Sequence, residues 1–480
     1  MIEVVPAAVS GGLQVPSYND SADPLDEQPG WEEEFEQEYY EALAREFDSP
    51  ELEESTDDQP VAARREDGSL LIIAGPGAGT LSVTPNMTVE DIDLVSDRDT
   101  ALSGRRPIVI VHRPYQNAAP LPRLLAEIQR VHGGDIALAV SAPLPQISHR
   151  AHQIWNSECL GAAVKLADPR GYLLDGDLLR LEKEPIKANS RKNAPYLNSP
   201  NADSWLKEVL DLQREAGANL LLTSGRALDM TAPQASLDKL CREGDDALAN
   251  LKTGERLALN ITIPAAWLSQ PTTRDLLLSQ LLDQEQFDVW HIRVQWPSPL
   301  RSWAQPVHEE LLRGYKRLAE LSEDEERVLL LPQTGLTGWF MQAFGAAGFG
   351  LGVSGTDNAF REFSMGRGTR IERYFENQLA HTVERTAHER MTGVDKYNPC
   401  DCRYCQALRG RQNWSNLFAA LHYVLSITGM TAQAARASDS RGGRLGFVRR
   451  AVRSALAFSR DQPLLDTNVP QHLAVWDRLL

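Results

Sequence analysis

Between residues 105 and 357 the chain repeats one pattern: a short run of apolar and β-branched residues, a turn, then an amphipathic stretch. The runs are PIVIVHRP (107–114), DIALAVSAP (135–143), GAAVKLADP (161–169), ANLLLTSG (218–225), RLALNITIP (256–264), FDVWHIRVQWP (287–297), RVLLLPQTG (327–335) and GFGLGVSG (348–355). Runs this continuously apolar predict strands covered on both faces, because a sheet with one wet face would alternate polar and apolar residues. The stretches between them include LPRLLAEIQRVH, SWLKEVLDLQREAG, TRDLLLSQLLDQ and HEELLRGYKRLAEL, with apolar residues at helical spacing. Eight strand–helix units in about 250 residues match the count and length of a closed (β/α)8 barrel. The expected class is therefore α/β, with a TIM-type barrel; a doubly wound open sheet is the alternative. No G-x-G-x-x-G follows the first strand, which argues against a dinucleotide site.

The flanks differ from this core. Residues 1–70 read as an acidic, largely disordered arm, 71–357 as the barrel, and 358–480 as a helical metal-binding and basic region. Within the arm, WEEEFEQEYYEALAREFDSPELEESTDD places Trp31, Phe35, Tyr39 and Leu43 at spacings that suit a short amphipathic helix. A protein partner is expected to contact it, or it covers a basic surface of the same chain. The formal net charge is -17, from 49 Lys and Arg against 66 Asp and Glu. That balance argues against a general nucleic-acid binder. Basic residues nevertheless gather near the C-terminus, at Arg436, Arg441, Arg444, Arg449, Arg450, Arg453 and Arg460. They either grip phosphates or pair with neighbouring carboxylates. No run approaches the roughly 18 apolar residues of a membrane span, and the N-terminus lacks a basic n-region, so a cytoplasmic location is expected. A homodimer is left open.

The most specific local signal is Cys400-Asp-Cys402-Arg-Tyr-Cys405. Three cysteines in six residues do not resemble a disulfide framework. Thiolates are soft ligands, and C-x-C-x₂-C can turn three sulfurs toward one ion. His422, on a helical stretch 17 positions on, is the expected fourth ligand, with His388 and His381 as alternatives. Cys₃His leaves no open position, so a structural Zn²⁺ is expected and the C-terminal region becomes a helical zinc-binding subdomain.

Barrel active sites lie at the C-terminal strand ends. That rule selects His112, Arg113, Lys165, Asp168, Arg170, Gly171, Tyr172, Ser224, Arg226, Asn260, Thr262, Gln333, Thr334, Ser354 and Asp357. On the sixth strand His291, Arg293 and Gln295 alternate, so all three point inward. Three long polar groups in the interior require partners or a polar ligand.

The order of barrel, C-x-C-x₂-C and helical histidine resembles the tRNA-guanine transglycosylase superfamily. Its members are zinc-containing (β/α)8 barrels that exchange guanine in nucleic acid for a 7-deazaguanine-type base. Their strand-end motif Asp-Ser-Gly-Gly-Tyr/Phe is similar to Asp168-Pro-Arg-Gly171-Tyr172. The resemblance implies that Asp168 is a general acid/base and that Gly171 and Tyr172 bind the base, Tyr172 by stacking. Arg293 and Gln295 would read its edge, with Asn260 and His291 in the same substrate site. The family's nucleophilic aspartate lies in Phe-Asp-Cys-Val on the eighth strand. Here that stretch reads Phe349-Gly-Leu-Gly-Val-Ser-Gly-Thr-Asp357, so Asp357 would substitute from the loop. The implied partner is tRNA or DNA, held by the C-terminal arginines. Two other functions compete: an inactive barrel serving in binding or assembly, and an enzyme that holds a small phosphorylated substrate on the Gly335, Gly338 and Gly355 loops.

Overall fold

The structure, a computed structural model, describes residues 94–480 except 114–119, 145–160, 177, 180–204, 298–304, 356, 362–371, 395, 410–413 and 439. It also describes a hairpin pairing Ala62–Arg64 with Leu70–Ile72. Apart from that hairpin, the acidic arm lies outside the described residues.

All eight expected strands form: β1 (Ile108–His112), β2 (Ala137–Pro143), β3 (Val164–Asp168), β4 (Leu221–Leu222), β5 (Leu257–Pro264), β6 (Val289–Gln295), β7 (Val328–Leu331) and β8 (Gly348–Leu351). They pair in parallel in the order β3-β2-β1-β8-β7-β6-β5-β4. Helix α1 (Leu94–Leu102) precedes β1, and the helices between the strands include α2 (Leu121–His132), α3 (Trp205–Glu215), α4 (Pro233–Ala249), α5 (Pro271–Asp283), α6 (Glu309–Asp324) and α7 (Gly335–Met341). Prolines open α4 and α5, where a missing N–H costs nothing. The buried residues of α2 are Leu121, Leu124, Leu125, Glu127 and Ile128, one stripe at helical spacing turned to the sheet.

The end strands β3 and β4 share no ladder, yet they meet. The backbone N–H of Asn219 donates to the Lys165 carbonyl at 3.1 Å, and that of Gly171 to the Ser224 carbonyl at 3.0 Å. The Asn219 side chain laces the rest: Oδ1 accepts from the Lys165 N–H at 2.7 Å and Nδ2 donates to Ala163 O at 2.8 Å. A side-chain amide thus stands in for ladder bonds, and the sheet closes as a barrel instead of staying open. Asn219→Ala strands both backbone groups, at a cost of about 2 kcal/mol; urea unfolding of the variant reads it directly.

Closure sorts the strand residues by period two. Ile108, Ile110, Ala139, Leu166, Leu222 and Leu330 form an inner cluster, while Val109, Val111, Leu138, Val140, Leu329 and Leu331 join the outer core under the helices. Ala101 and Leu102 of α1 belong to the inner cluster, so α1 plugs the N-terminal end of the barrel. Its buried Arg98 is tied there through Nη1 to Asn219 O at 2.9 Å.

The C-terminal region is helical, as expected, with one addition. An antiparallel hairpin, β9 (Arg373–Glu376) and β10 (His381–Glu384), precedes α8 (Arg385–Met391), α9 (Arg403–Arg409), α10 (Asn416–Ala437), α11 (Arg441–Arg460) and α12 (Gln471–Leu479). Ser415 and Ser440 cap α10 and α11 by accepting from Phe418 and Gly443 N–H groups. Trp476 of α12 stacks on Phe340 of α7, centroids 4.3 Å apart, and pins the C-terminus to the barrel.

Candidate functional site

Two groups of chemistry-bearing residues stand out. The first is the cysteine cluster. Cys400 and Cys402 sit just before α9, Cys405 in its first turn and His422 one turn and a half into α10, and one ligand atom from each lies within 4.8 Å of all the others. The four residues could hold a metal ion. Nδ1 of His422 stands 3.1 Å from the Cys405 sulfur and 3.5 Å from that of Cys402. The other ring nitrogen, Nε2, donates to Phe375 O at 2.8 Å. That bond fixes the tautomer and leaves the Nδ1 lone pair facing the sulfurs, the arrangement a metal ligand requires.

His388 and His381, the alternative fourth ligands, are engaged elsewhere. His388 Nδ1 bonds the buried Glu376, and His381 Nε2 donates to Thr467 O at 3.1 Å.

The second group lines the C-terminal end of the barrel. His291, Arg293 and Gln295 do point inward, and all three are buried. Each meets an internal partner. Arg293 forms an ion pair with Asp168, and its Nε donates to Gln333 Oε1 at 2.8 Å. The Tyr172 ring lies 4.8 Å and the Phe360 ring 5.7 Å from its guanidinium carbon. Burial raises the Asp168 carboxyl, but Arg293 and Arg170 outweigh it and hold the group below its usual range. Asp168 is therefore ionised and tethered; the Arg170 N–H also donates to its Oδ1 at 2.9 Å.

Beneath this pair, Asn260 Nδ2 donates to Thr223 O, which turns Oδ1 toward His291 Nδ1 at 2.8 Å. Burial, reinforced by Arg293, drives the His291 and His112 pKa values down to about 3, so both rings are neutral. Nε2 of His112 accepts from the Gln333 N–H at 3.1 Å. Gln295 donates to Leu179 O.

Several expected site residues have packing duties. A Cβ on Gly171 would collide with the Ser224 carbonyl, so this glycine permits the barrel seam. Tyr172 is no free stacking platform: it meets Phe360 edge-on at 5.0 Å and covers Arg293. On β8, a Cβ at Gly350 would strike the His112 ring. Histidine thus fills the space that a side chain on this strand would need. Gly335 lies under Tyr423 and Asn358, and Gly338 against Phe349, so both serve helix packing.

Asp357 sits half-buried in the loop after β8. Its Oδ2 accepts from the Ser354 N–H at 3.2 Å, and burial raises its pKa to about 6. Asn358 braces the same loop by donating to Gly352 O at 2.8 Å and Ser354 O at 2.7 Å. The chain then crosses back over the barrel: Phe360 N–H donates to Gln333 O, and Trp296 N–H to Phe360 O. Arg170 acts electrostatically on both Asp168 and Asp357. Sequence reasoning missed Phe360, whose place depends on this crossing. The unusual left-handed conformations of Arg170 and Gln333, φ 52° and 53°, mark the same rim.

The basic C-terminal segment is largely spent on ion pairs. Arg436 meets Asp135, Arg441 and Arg444 meet acids of α6, and Arg453 meets Asp477. Arg450 and Arg460 are exposed. Among the described residues no helix is long and apolar enough to cross a membrane. No protein-family model matches the chain, and no curated protein matches it significantly.

Proposed function

We propose that the Cys400, Cys402, Cys405 and His422 group holds a structural Zn²⁺, and that the barrel mouth exchanges a guanine-like base of tRNA or DNA in the manner of the transglycosylase superfamily. The zinc assignment follows from ligand softness: three thiolates and an imidazole suit tetrahedral Zn²⁺, whose bond to sulfur is about 2.3 Å. The ion would clamp the subdomain and supply no chemistry at the mouth.

The enzymatic part is supported by two carboxyls at the same end of the barrel, Asp168 at the end of β3 and Asp357 in the loop after β8; Arg170 acts on both, and their surroundings shift them in opposite directions. Environments that separate two carboxyls in this way assign them different roles. Asp168, fixed as an anion, accepts hydrogen bonds from the donor edge of the base. It does not begin the cycle as a proton donor. Asp357, ionised above a pH of about 6, is the nucleophile: its oxygen bonds the sugar C1′ as the bond from C1′ to the base nitrogen breaks. The incoming base then displaces the carboxylate. The departing base leaves as an anion and takes its proton from solvent, and the incoming base gives a proton back to solvent as its glycosidic bond forms, so each step balances.

Exchange of radiolabelled guanine into bulk tRNA and DNA tests this. Incorporation is expected to rise as pH increases through about 6 and to fall about 100-fold or more in Asp357→Asn and Asp168→Asn. A second reading, a base-binding module without exchange, draws on Gly350 and His112, which leave β8 without a carboxylate. Binding of nucleic acid without exchange would favour it; absence of both would exclude the two together.

A further inference from the structure

The hairpin strand β9 runs along the cysteine cluster, and each of its last three residues touches the cluster or its surroundings. Phe375 offers its carbonyl to His422. Glu376, buried, takes the His388 ring and, at 3.2 Å, the Tyr397 hydroxyl. Tyr374 does more. Its hydroxyl lies 2.9 Å from the Cys405 sulfur, and its ring stacks on His422 with centroids 4.5 Å apart and planes 11° off parallel. On the opposite face it stacks on His388 at 4.0 Å. One side chain therefore meets two of the four ligands, one by hydrogen bonding and one by stacking, while His388 holds the ring from behind.

A Zn²⁺ with three thiolates and a neutral imidazole carries a net charge of about -1. Burying that charge is costly unless donors face the sulfurs. We infer that Tyr374 is a positioning residue of the metal centre: its hydroxyl donates to the Cys405 thiolate and offsets the surplus charge, while its ring fixes the plane of His422. This inference rests on the zinc reading above. Nothing in the Cys-x-Cys-x₂-Cys spacing points to Tyr374, which enters from a strand 31 residues earlier.

The test uses the full chain and Zn²⁺ in competition with a chromophoric chelator. Loss of a group that supports a metal ligand costs about 10- to 100-fold in affinity, and that loss is expected in Tyr374→Phe, which keeps the ring. Cobalt supplies a signature that mere loosening of the fold would not move. With the hydroxyl gone, the thiolate-to-cobalt charge-transfer band shifts to longer wavelength. Unchanged affinity together with an unmoved band overturns the inference. Should Tyr374→Phe not fold, wild-type protein carrying 3-fluorotyrosine, a stronger donor, shifts the band to shorter wavelength; an unmoved band there overturns it as well. Wild-type protein that binds neither ion defeats the zinc reading itself, a separate result.

Discussion

Arg293→Met is expected to destabilise the barrel by about 3–5 kcal/mol at pH 7, the usual cost of removing one partner from a buried ion pair. The guanidinium is fully buried and is the only group drawn in an ion pair with Asp168 among the described residues. Methionine keeps much of the volume beneath Tyr172 and Phe360 but takes away the ion-pair partner of a buried carboxylate, leaving Arg170 as the remaining cation acting on it. The pH dependence separates this cause from simple cavity formation. In the wild type, Asp168 titrates below its unfolded value of 3.8. Its stabilising contribution is therefore present above that value and fades as pH falls through the folded one. In Arg293→Met, burial dominates and the folded value lies above the unfolded one. The penalty is then fully present at neutral pH and is relieved as pH falls. Guanidinium unfolding at pH 7 and pH 4.5 should show the deficit shrinking, and Asp168→Asn combined with Arg293→Met should recover most of it. An equal deficit at both pH values would mean that Asp168 does not carry the charge.

Under the proposed zinc assignment, metal removal has the second large effect. Structural Zn²⁺ contributes about 10–16 kcal/mol of apparent binding energy in small zinc-dependent folds near pH 7. Here the expected loss is local. The hairpin and α8 have a small core of their own, in which Leu379, Val383, Ala387 and Met391 are the buried side chains. So small a core holds poorly without a clamp. α10 is different, because Leu421, Val424 and Ile427 belong to the main core of the barrel. Chelation, or Cys405→Ser, should therefore open residues 396–409 to protease while α10 and the barrel stay folded. Two separate thermal transitions should replace one. A protease map that does not change after verified metal loss would refute the clamp.

The strands were legible because each is an uninterrupted apolar run between turn residues, and closure on both faces leaves no other use for such runs. The cysteines were legible because their chemistry is local. The inward set at His291, Arg293 and Gln295 followed from period two alone. Pairing between distant residues was not legible. Asp168 and Arg293 lie 125 positions apart, and Arg441 meets Asp324 across 117. The basic segment therefore resembled a phosphate grip, when four of its arginines are answered by carboxylates, two of them by α6. Gly171 resembled a binding residue for a similar reason: the carbonyl that excludes a side chain there belongs to another strand. The β9–β10 hairpin has β-prone residues in Arg373–Glu376 and His381–Glu384, but four-residue strands amid helices carry little periodic signal.

The laced joint between β3 and β4 gives the cylinder a direction of weakness. Seven joints share strain along backbone ladders, whereas this one concentrates it on Asn219 and a few single bonds. Asp168, Arg170 and Gly171 stand on the lip of that joint. A stave that yields there widens the rim beside the anionic carboxylate first, while the plugged far end, with Arg98 fastened to Asn219, acts as the fulcrum.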